Sequence, residues 1–124
     1  MKPPYKFEKE KNSPSYLVVC DGGNVRSGAL ATTLKLNHGR EAIAVGRLYM
    51  SPSTMEFLTD WADRIIITQP HMIESIPEHN HHKVTVIDLG PDRWGVSIHP
   101  ELNQLADEQT EFLVQSESSP AKSY

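Results

Sequence analysis

The residues best suited to chemistry lie between positions 20 and 27, in the stretch "CDGGNVRS". Cys20, the only cysteine of the 124 residues, ends an apolar run, and Arg26 follows six positions later. A thiolate is a nucleophile, and a guanidinium presents a planar set of donors that fits two oxygens of a phosphate. One interpretation is that Cys20 is a buried core thiol, since free cysteine is among the most buried residue types. The other is that Cys20 and Arg26 bind one anion together.

The loop between these two residues favours anion binding. Gly22 and Gly23 allow backbone conformations with positive φ, so that successive N–H groups can turn inward around an anion. A helix predicted to follow the loop adds the positive end of its dipole. In that field Cys20 is expected to lose its proton more easily than a free thiol, and Ser27 can donate its hydroxyl to the sulfur. Asp21 is unexpected, because a carboxylate beside an anion site opposes binding unless it points away.

Short apolar runs alternate with segments of helical period along the chain. The predicted strands are residues 16–19, 42–45, 65–67 and 84–89, which are β-branched in character, as strands buried on both faces are. The predicted helices are residues 27–36 and the stretches "SPSTMEFLTDWA", "TQPHMIESI" and "HPELNQLADEQTEFL".

Two of these helices carry more detailed predictions. In the second, Ser53 and Glu56 are spaced as a capping box, and Trp61 lies on the apolar stripe and is predicted to be core. In the last, one apolar side is formed by Leu102, Leu105, Ala106, Phe112 and Leu113. The proline of "TQPHMIESI" suits the first turn of a helix.

The order of elements, βαβαβαβα, predicts the fold class. It indicates a single three-layer α/β domain, with a four-stranded parallel sheet and helices on both faces. The domain is predicted to span residues 16–114, with flexible tails at 1–15 and 115–124. In such sheets ligands bind beyond the carboxyl ends of the strands, where the strand order reverses. Cys20 lies at the end of the first strand and before the first helix, which favours function over core packing.

Charge and composition exclude several classes of partner. The formal charge is −4 and no basic stripe is present, which argues against a nucleic-acid surface. No apolar run approaches the about 20 residues that span a bilayer. The stretch "MKPPYKFEKEKNSPS" has no apolar signal-peptide core, so the predicted location is cytoplasmic. A single cysteine excludes an internal disulfide framework.

The motifs together resemble a known family. Cysteine, five residues, arginine and serine form the phosphate-loop signature of cysteine-dependent phosphatases, and its place between the first strand and first helix resembles the low-molecular-weight protein tyrosine phosphatases. The stretch "GRLYMSPSTMEFLTDWADRIIITQPHM" is similar to the family's segment from the second to the third strand. "VTVIDLGPDRWGVSIHPEL" is similar to the ending of the compact predicted tyrosine phosphatases of bacteria and phages. The resemblance covers most of residues 16–113.

The resemblance implies hydrolysis of phosphate monoesters, above all phosphotyrosine, through a cysteinyl-phosphate, without metal or cofactor. Cys20 matches the nucleophile and Arg26 matches the group that clamps the transition state. Asp92 in "PDRW" matches the general acid, with Asp88 as the alternative because this segment has one additional glycine. The aromatic that flanks the substrate ring is matched by Trp94, for which simple packing is the alternative. The predicted substrate-binding residues are Asp21, Gly22, Gly23, Asn24, Val25, Ser27 and Trp94.

Other functions stay open at this point. The family usually has asparagine where this chain has Gly23, and Asn24 comes one position later. This departure allows a relative that binds phosphate or phosphoproteins without turnover. Arsenate reductases share the fold, but a chain with one cysteine would need an external thiol to complete that reaction. The expected partner is a phosphorylated protein or small phosphoester, and the oligomeric state is left open.

Two further groups of residues are candidates for a site. The stretch "HNHH", with His79, His81 and His82, suggests a metal, but no matching ligand pattern accompanies it, so a solvated loop is predicted. Arg47 and Tyr49 follow the second strand and lie on the expected rim of the site. They could contact the peptide around a phosphotyrosine, although an arginine at a rim is often only solvated.

Overall fold

The structure is a computed structural model of the chain, and it describes residues 13–22, 25–91, 93–96 and 98–117. Gly23, Asn24 and Asp92, together with residues 1–12 and 118–124 of the predicted tails, lie outside the described residues. The strands are β1 (Tyr16–Cys20), β2 (Ala42–Gly46), β3 (Arg64–Ile67) and β4 (Val84–Val86). The α-helices are α1 (Val25–His38), α2 (Pro52–Trp61) and α3 (Pro100–Ser116), and the 3₁₀ helices are η1 (Arg47–Tyr49), η2 (Pro70–Ser75) and η3 (Glu78–Lys83).

The four strands form one parallel sheet in the order β2-β1-β3-β4. The chain passes from β1 to β2 on one side and then returns to β3 on the other. The strand order therefore reverses at the carboxyl end of β1, where Cys20 pairs in register with Gly46. The predicted fold class is confirmed.

The sheet is covered on both faces, as its apolar sequence requires. Every residue of β1 is buried, and successive side chains point to opposite faces. Val18 belongs to the core that α1 and α3 cover, together with Leu34 and Leu102. Val19 belongs to the other core, which α2 and η2 cover and which includes Met55.

The third connection differs from its prediction. The segment "TQPHMIESI", which was predicted to be a helix, forms the short 3₁₀ helix η2. A second 3₁₀ helix, η3, follows it, where a solvated loop was predicted around "HNHH". Pro77 ends the first of these turns, because a proline lacks an N–H group and disfavours helical backbone at the residue before it. Ile76 is accordingly extended, with φ of −98° and ψ of 125°. β4 also stops earlier than predicted, at Val86.

Helix α2 begins two residues earlier than the predicted capping box. Ser51 is the N-cap, and its hydroxyl oxygen accepts the N–H of Thr54 at 3.2 Å. Pro52 occupies the first helical position, where its missing N–H costs nothing. The prediction of Ser53 as the cap is wrong. The prediction of Trp61 as core is also wrong, since this side chain in the last position of the helix is 36% exposed.

Helix α3 turns most of the predicted face to the core, since Leu102, Ala106 and Leu113 are buried and Leu105 packs against them. Phe112 is 68% exposed, so its assignment to the apolar side is wrong. Thr110 is fully buried and satisfies its hydroxyl by donating to the carbonyl oxygen of Ala106 at 2.8 Å. Leu113 is buried, and its neighbour Phe112 lies about 100° away around the helix.

The predicted limits of the domain and its tails stay predictions, although α3 continues to Ser116. Within the described ranges, no helix is both long and apolar enough to cross a membrane. The cytoplasmic location stays a prediction.

Candidate active site

Cys20 is the last residue of β1, and its side chain is 2% exposed. Its sulfur lies 3.1 Å from the hydroxyl oxygen of Ser27 and donates to the carbonyl oxygen of Gly22 at 3.2 Å. Once the sulfur has lost its proton, the serine hydroxyl can donate to it. Ser27 is fully buried in the first turn of α1, which Val25 begins. The fold thus brings together the sulfur and the hydroxyl that the sequence analysis paired.

Arg26 is the second residue of α1, and its side chain is 4% exposed. Its Nη1 donates to Oε1 of Gln69 at 2.6 Å and to the carbonyl oxygen of Gly90 at 2.7 Å. These partners come from the segments after β3 and β4, so the guanidinium is held beyond the carboxyl ends of the strands. A planar guanidinium oriented in this way loses little further freedom when it binds an anion.

Gly46 allows the loop after Cys20 to pass over the end of β2. A Cβ atom at this position would lie 2.7 Å from the carbonyl oxygen of Gly22 and 3.1 Å from its Cα, closer than such atoms approach. The glycine is therefore required for this close approach of two backbones. The sequence analysis included this glycine only as part of the resemblance.

Asp21 is paired with basic side chains at the edge of the loop. Its Oδ1 accepts the Nε of Arg47 at 2.6 Å and lies 3.2 Å from Nε2 of His71, while its carbonyl oxygen accepts the N–H of Leu48 at 2.9 Å. Partial burial raises the pKa of Asp21, but the hydrogen bonds from Arg47 and His71 outweigh this and leave it below the ordinary value of 3.8. Asp21 is therefore ionised and paired at neutral pH.

Trp94 lies in the core that α1 and α3 cover, and it is 7% exposed. Its indole N–H donates to Oε1 of Glu101 at 3.3 Å, and the guanidinium of Arg93 lies 4.3 Å from the ring centre. This burial favours packing, which was the alternative to a role in binding the substrate.

The structure describes only one of the two candidate general acids. Asp92 lies outside the described residues, so its role stays a prediction. Asp88 is exposed, and its Oδ1 accepts the N–H of Gly90 at 2.9 Å. Gly90 has a φ of 72° and directs its carbonyl to Arg26, so Asp88 belongs to a turn that contacts the anion-binding candidate.

An exposed aromatic side chain marks the rim of the loop. Tyr49, in η1, is 81% exposed, and Leu48 beside it is 65% exposed. The Cε2 atom of Tyr49 lies 3.3 Å from the position that a Cβ of Gly22 would occupy. The tyrosine ring is therefore next to the loop and open to a ligand.

The histidines of "HNHH" lie in η3, on a different element from the site. His79 and His82 are exposed, and Nε2 of His79 is 2.9 Å from Oδ1 of Asp60. The ligand atoms of Glu56, Asp60 and His79 lie within 4.8 Å of one another. The sequence analysis missed these carboxylates because the fold brings them from α2. Exposed acidic groups often cluster without a metal, and the prediction of no metal site stays untested.

Arg47 was predicted only on the rim of the site, and neither its contact with Asp21 nor the role of Gln69 was predicted. Gln69 binds Arg26, and His71 and Arg47 bind Asp21. Gln69 and Arg47 follow the carboxyl ends of β3 and β2 within two residues, and His71 comes soon after. The rule that ligands bind beyond the carboxyl ends of parallel strands was the signal that could have indicated them.

The parallel sheet and the loop between β1 and α1 give this chain the fold of the low-molecular-weight cysteine-dependent phosphatases, and the resemblance is confirmed at the level of the fold. A solved structure with this fold is the YwlE arginine phosphatase from Geobacillus stearothermophilus, which is 18% identical in sequence with a TM-score of 0.59. The similarity covers 87% of this chain and 98% of that one. No family model and no curated protein matches the sequence.

Proposed function

We propose that the protein is a cysteine-dependent phosphatase that hydrolyses phosphate monoesters, with phosphotyrosine as its principal substrate. The observation that carries the proposal is the 3.1 Å contact between the sulfur of Cys20 and the buried hydroxyl of Ser27, at the point where the strand order reverses. Arg26 is buried next to Ser27 in the same helix turn. A nucleophile, a hydroxyl donor and a cation for the phosphate thus lie on adjacent elements.

The reaction proposed has two steps. Arg26 and backbone N–H groups of the loop bind the phosphate oxygens, and the thiolate of Cys20 attacks phosphorus. An S–P bond forms as the P–O bond to the leaving group breaks. Water then attacks the phosphorus, the S–P bond breaks, and inorganic phosphate is released. Ser27 stabilises the thiolate that leaves in this second step by donating its hydroxyl.

The leaving oxygen needs a proton from a general acid, which then activates the water. We assign the general acid to Asp92 because the resemblance matches it to that role. Asp88 is the alternative, because the turn that contains it contacts Arg26 through the carbonyl oxygen of Gly90. Asp92→Ala and Asp88→Ala separate the two, since loss of the acid slows esters with poor leaving groups more than esters with good ones.

An aromatic substrate is supported by Tyr49, whose exposed ring lies beside the loop. A stacked pair of aromatic rings contributes about 0.5–1.5 kcal/mol beyond the area that it buries. A second candidate substrate is phosphoarginine, because the solved structure with this fold is an arginine phosphatase. Peptides of one sequence with either phosphotyrosine or phosphoarginine, compared by kcat/KM, distinguish the two.

The proposed partner is a phosphorylated protein or a small phosphoester. The direct test measures p-nitrophenyl phosphate hydrolysis without added metal, in the wild type and in Cys20→Ser. Turnover is expected to fall by about a thousandfold or more in the variant, as when a nucleophile is lost from other enzymes, while inorganic phosphate still binds. Full activity in Cys20→Ser would contradict the mechanism. An inactive wild type that binds phosphate through Arg26 would establish the binding relative without turnover, and arsenate reduction with an external thiol would establish the remaining alternative.

A further inference from the structure

The proposed phosphate loop carries a negative charge next to its nucleophile. Asp21 follows Cys20 directly, its side chain is 29% exposed, and its Oδ2 lies 3.8 Å from Nη2 of Arg26. An ionised carboxylate in this place competes with a phosphate dianion for Arg26 and repels the dianion as well. A loop that contains Asp21 therefore needs a further positive charge if it is to hold phosphate.

Arg47 supplies a positive charge at the required place. Its Nε donates to Oδ1 of Asp21 at 2.6 Å, and its Nη1 donates to Oε1 of Glu74 at 3.0 Å and to Oγ of Ser75 at 2.9 Å. The side chain is 13% exposed. His71 approaches the same oxygen of Asp21 at 3.2 Å, but it is 45% exposed and is charged only when protonated. Arg47 is thus the permanent cation of this group.

We propose that Arg47 is a positioning residue of the phosphate site, which neutralises Asp21 and so allows the loop to hold a phosphate dianion beside Arg26. This inference rests on the proposed function, because it requires that the loop and Arg26 bind phosphate. Arg47 acts through Asp21 and does not touch the phosphate. A direct contact between Arg47 and a substrate peptide is disfavoured, since its Nε and Nη1 already bind the loop and η2 and little of the side chain is exposed.

The test is a double-mutant cycle with wild type, Arg47→Gln, Asp21→Asn and the double variant. Isothermal titration with inorganic phosphate at fixed pH and ionic strength gives a Kd for each protein, and p-nitrophenyl phosphate hydrolysis gives kcat and KM. Arg47→Gln is expected to raise the phosphate Kd on the order of tenfold, the effect of one unit charge several ångströms away near a protein surface. Asp21→Asn is expected to lower the Kd. The double variant is expected to return within about threefold of the wild type, because the charges balance again.

Rescue by the second substitution distinguishes the proposed role from others. If Arg47 contacted the phosphate itself, or only held the loop in shape, the double variant would bind phosphate as weakly as Arg47→Gln. That result would overturn the inference, as would weaker binding in Asp21→Asn alone. The hydrolysis data are expected to show the change in KM, with kcat much less affected.

Two control variants test whether the change in phosphate Kd depends on the position and the charge of Arg47. Lys83→Gln removes one positive charge at the other end of the sheet, where the ammonium group donates to the carbonyl oxygen of Thr59. It is expected to change the Kd by less than about twofold, because the charge is far from the site and is screened. Arg47→Lys keeps the charge and is expected to weaken binding less than Arg47→Gln, which provides a measurement if the glutamine variant does not fold.

The outcome for this inference can be separated from the outcome for the proposed function. If the phosphate Kd values of the four proteins change as expected but the wild type shows no turnover, only the proposed function is contradicted. Turnover in the wild type without rescue in the double variant would contradict only the role of Arg47.

Discussion

At the scale of single residues, the loop depends on the absence of a side chain at position 46. Replacing Gly46 by Ala places a methyl group 2.7 Å from the carbonyl oxygen of Gly22, and a backbone group cannot move aside without displacing the loop. Overpacking of this kind costs about 1–3 kcal/mol. Here it would displace the loop that follows Cys20 and so change the geometry around the sulfur. We expect kcat/KM for p-nitrophenyl phosphate to fall by at least tenfold, or about 1.4 kcal/mol.

The same variant is expected to stay folded, because Gly46 is the last residue of its strand and the two cores do not include it. Circular dichroism and a urea titration check this directly. Unchanged kcat/KM in a folded Gly46→Ala protein would show that the loop does not need its close approach to β2.

Asp21 also makes the stability of the protein depend on pH. Burial raises the pKa of this carboxyl, but the hydrogen bonds from Arg47 and His71 lower it by more, so the pKa in the folded state lies below 3.8. A group with a lowered pKa stabilises the folded state fully above its unfolded value, and this contribution disappears as the pH falls through the folded value. Asp21→Asn should therefore lower Tm at pH 7, and the difference from the wild type should shrink as the pH falls below 3.8. A difference in Tm that is constant between pH 7 and pH 2.5 would contradict this.

At the scale of elements, the true start of α2 gives a matched pair of variants. The hydroxyl of Ser51 satisfies the N–H of Thr54, whereas Ser53 is a helical residue with an exposed side chain. Ser51→Ala is expected to lower the free energy of unfolding by about 1 kcal/mol, the usual cost of losing an N-cap. Ser53→Ala is expected to change it by less than about 0.5 kcal/mol. Urea unfolding measures both, and equal losses would argue against Ser51 as the cap.

The elements themselves could be predicted where one pattern dominated the sequence. The apolar runs 16–19 and 65–67 indicated strands because they are short and rich in β-branched residues, and strands buried on both faces need no polar alternation. The connection after β3 could not be predicted with the same success. Pro70 at its start favours a helix. Pro77, seven residues later, limits the length of that helix, so the two prolines favour different structures.

The candidate site was predictable to the extent that its residues are adjacent in sequence. Cys20, Arg26 and Ser27 lie in one motif, and a strand followed by a helix determines where they point. The contacts of Arg47 with Asp21 and of Gln69 with Arg26 join residues 26 and 43 positions apart. Such pairs depend on the strand order, which the sequence pattern alone does not specify.

At the scale of the whole molecule, the candidate site and a polar anchor of the fold lie at opposite ends of the sheet. The candidate site lies beyond the carboxyl end of β1, while Tyr16 begins the same strand and donates its hydroxyl to Glu117 after α3. Burial, and then the contact with Glu117, raises the pKa of Tyr16, so the phenol stays a neutral donor. Arg40 completes this anchor, with Nη2 at 2.9 Å and Nε at 3.1 Å from Oε1 of Glu117. The anchor joins the end of α3 to the central strand.

Removal of this anchor should reduce stability without changing catalysis. The side chains of Arg40 and Glu117 are 13% and 12% exposed, so Glu117→Ala removes the bidentate partner of a largely buried guanidinium, which costs about 3 kcal/mol in the free energy of unfolding. Glu111→Ala is the matched control, because Glu111 is 62% exposed and lies 4.0 Å from His38. Its loss should cost less than about 0.5 kcal/mol. Urea unfolding gives both values, and kcat measured well below the Tm of each variant should stay within about twofold of the wild type, since no part of the anchor reaches the loop around Cys20. A large fall in kcat for folded Glu117→Ala would mean that the two ends of the sheet are coupled.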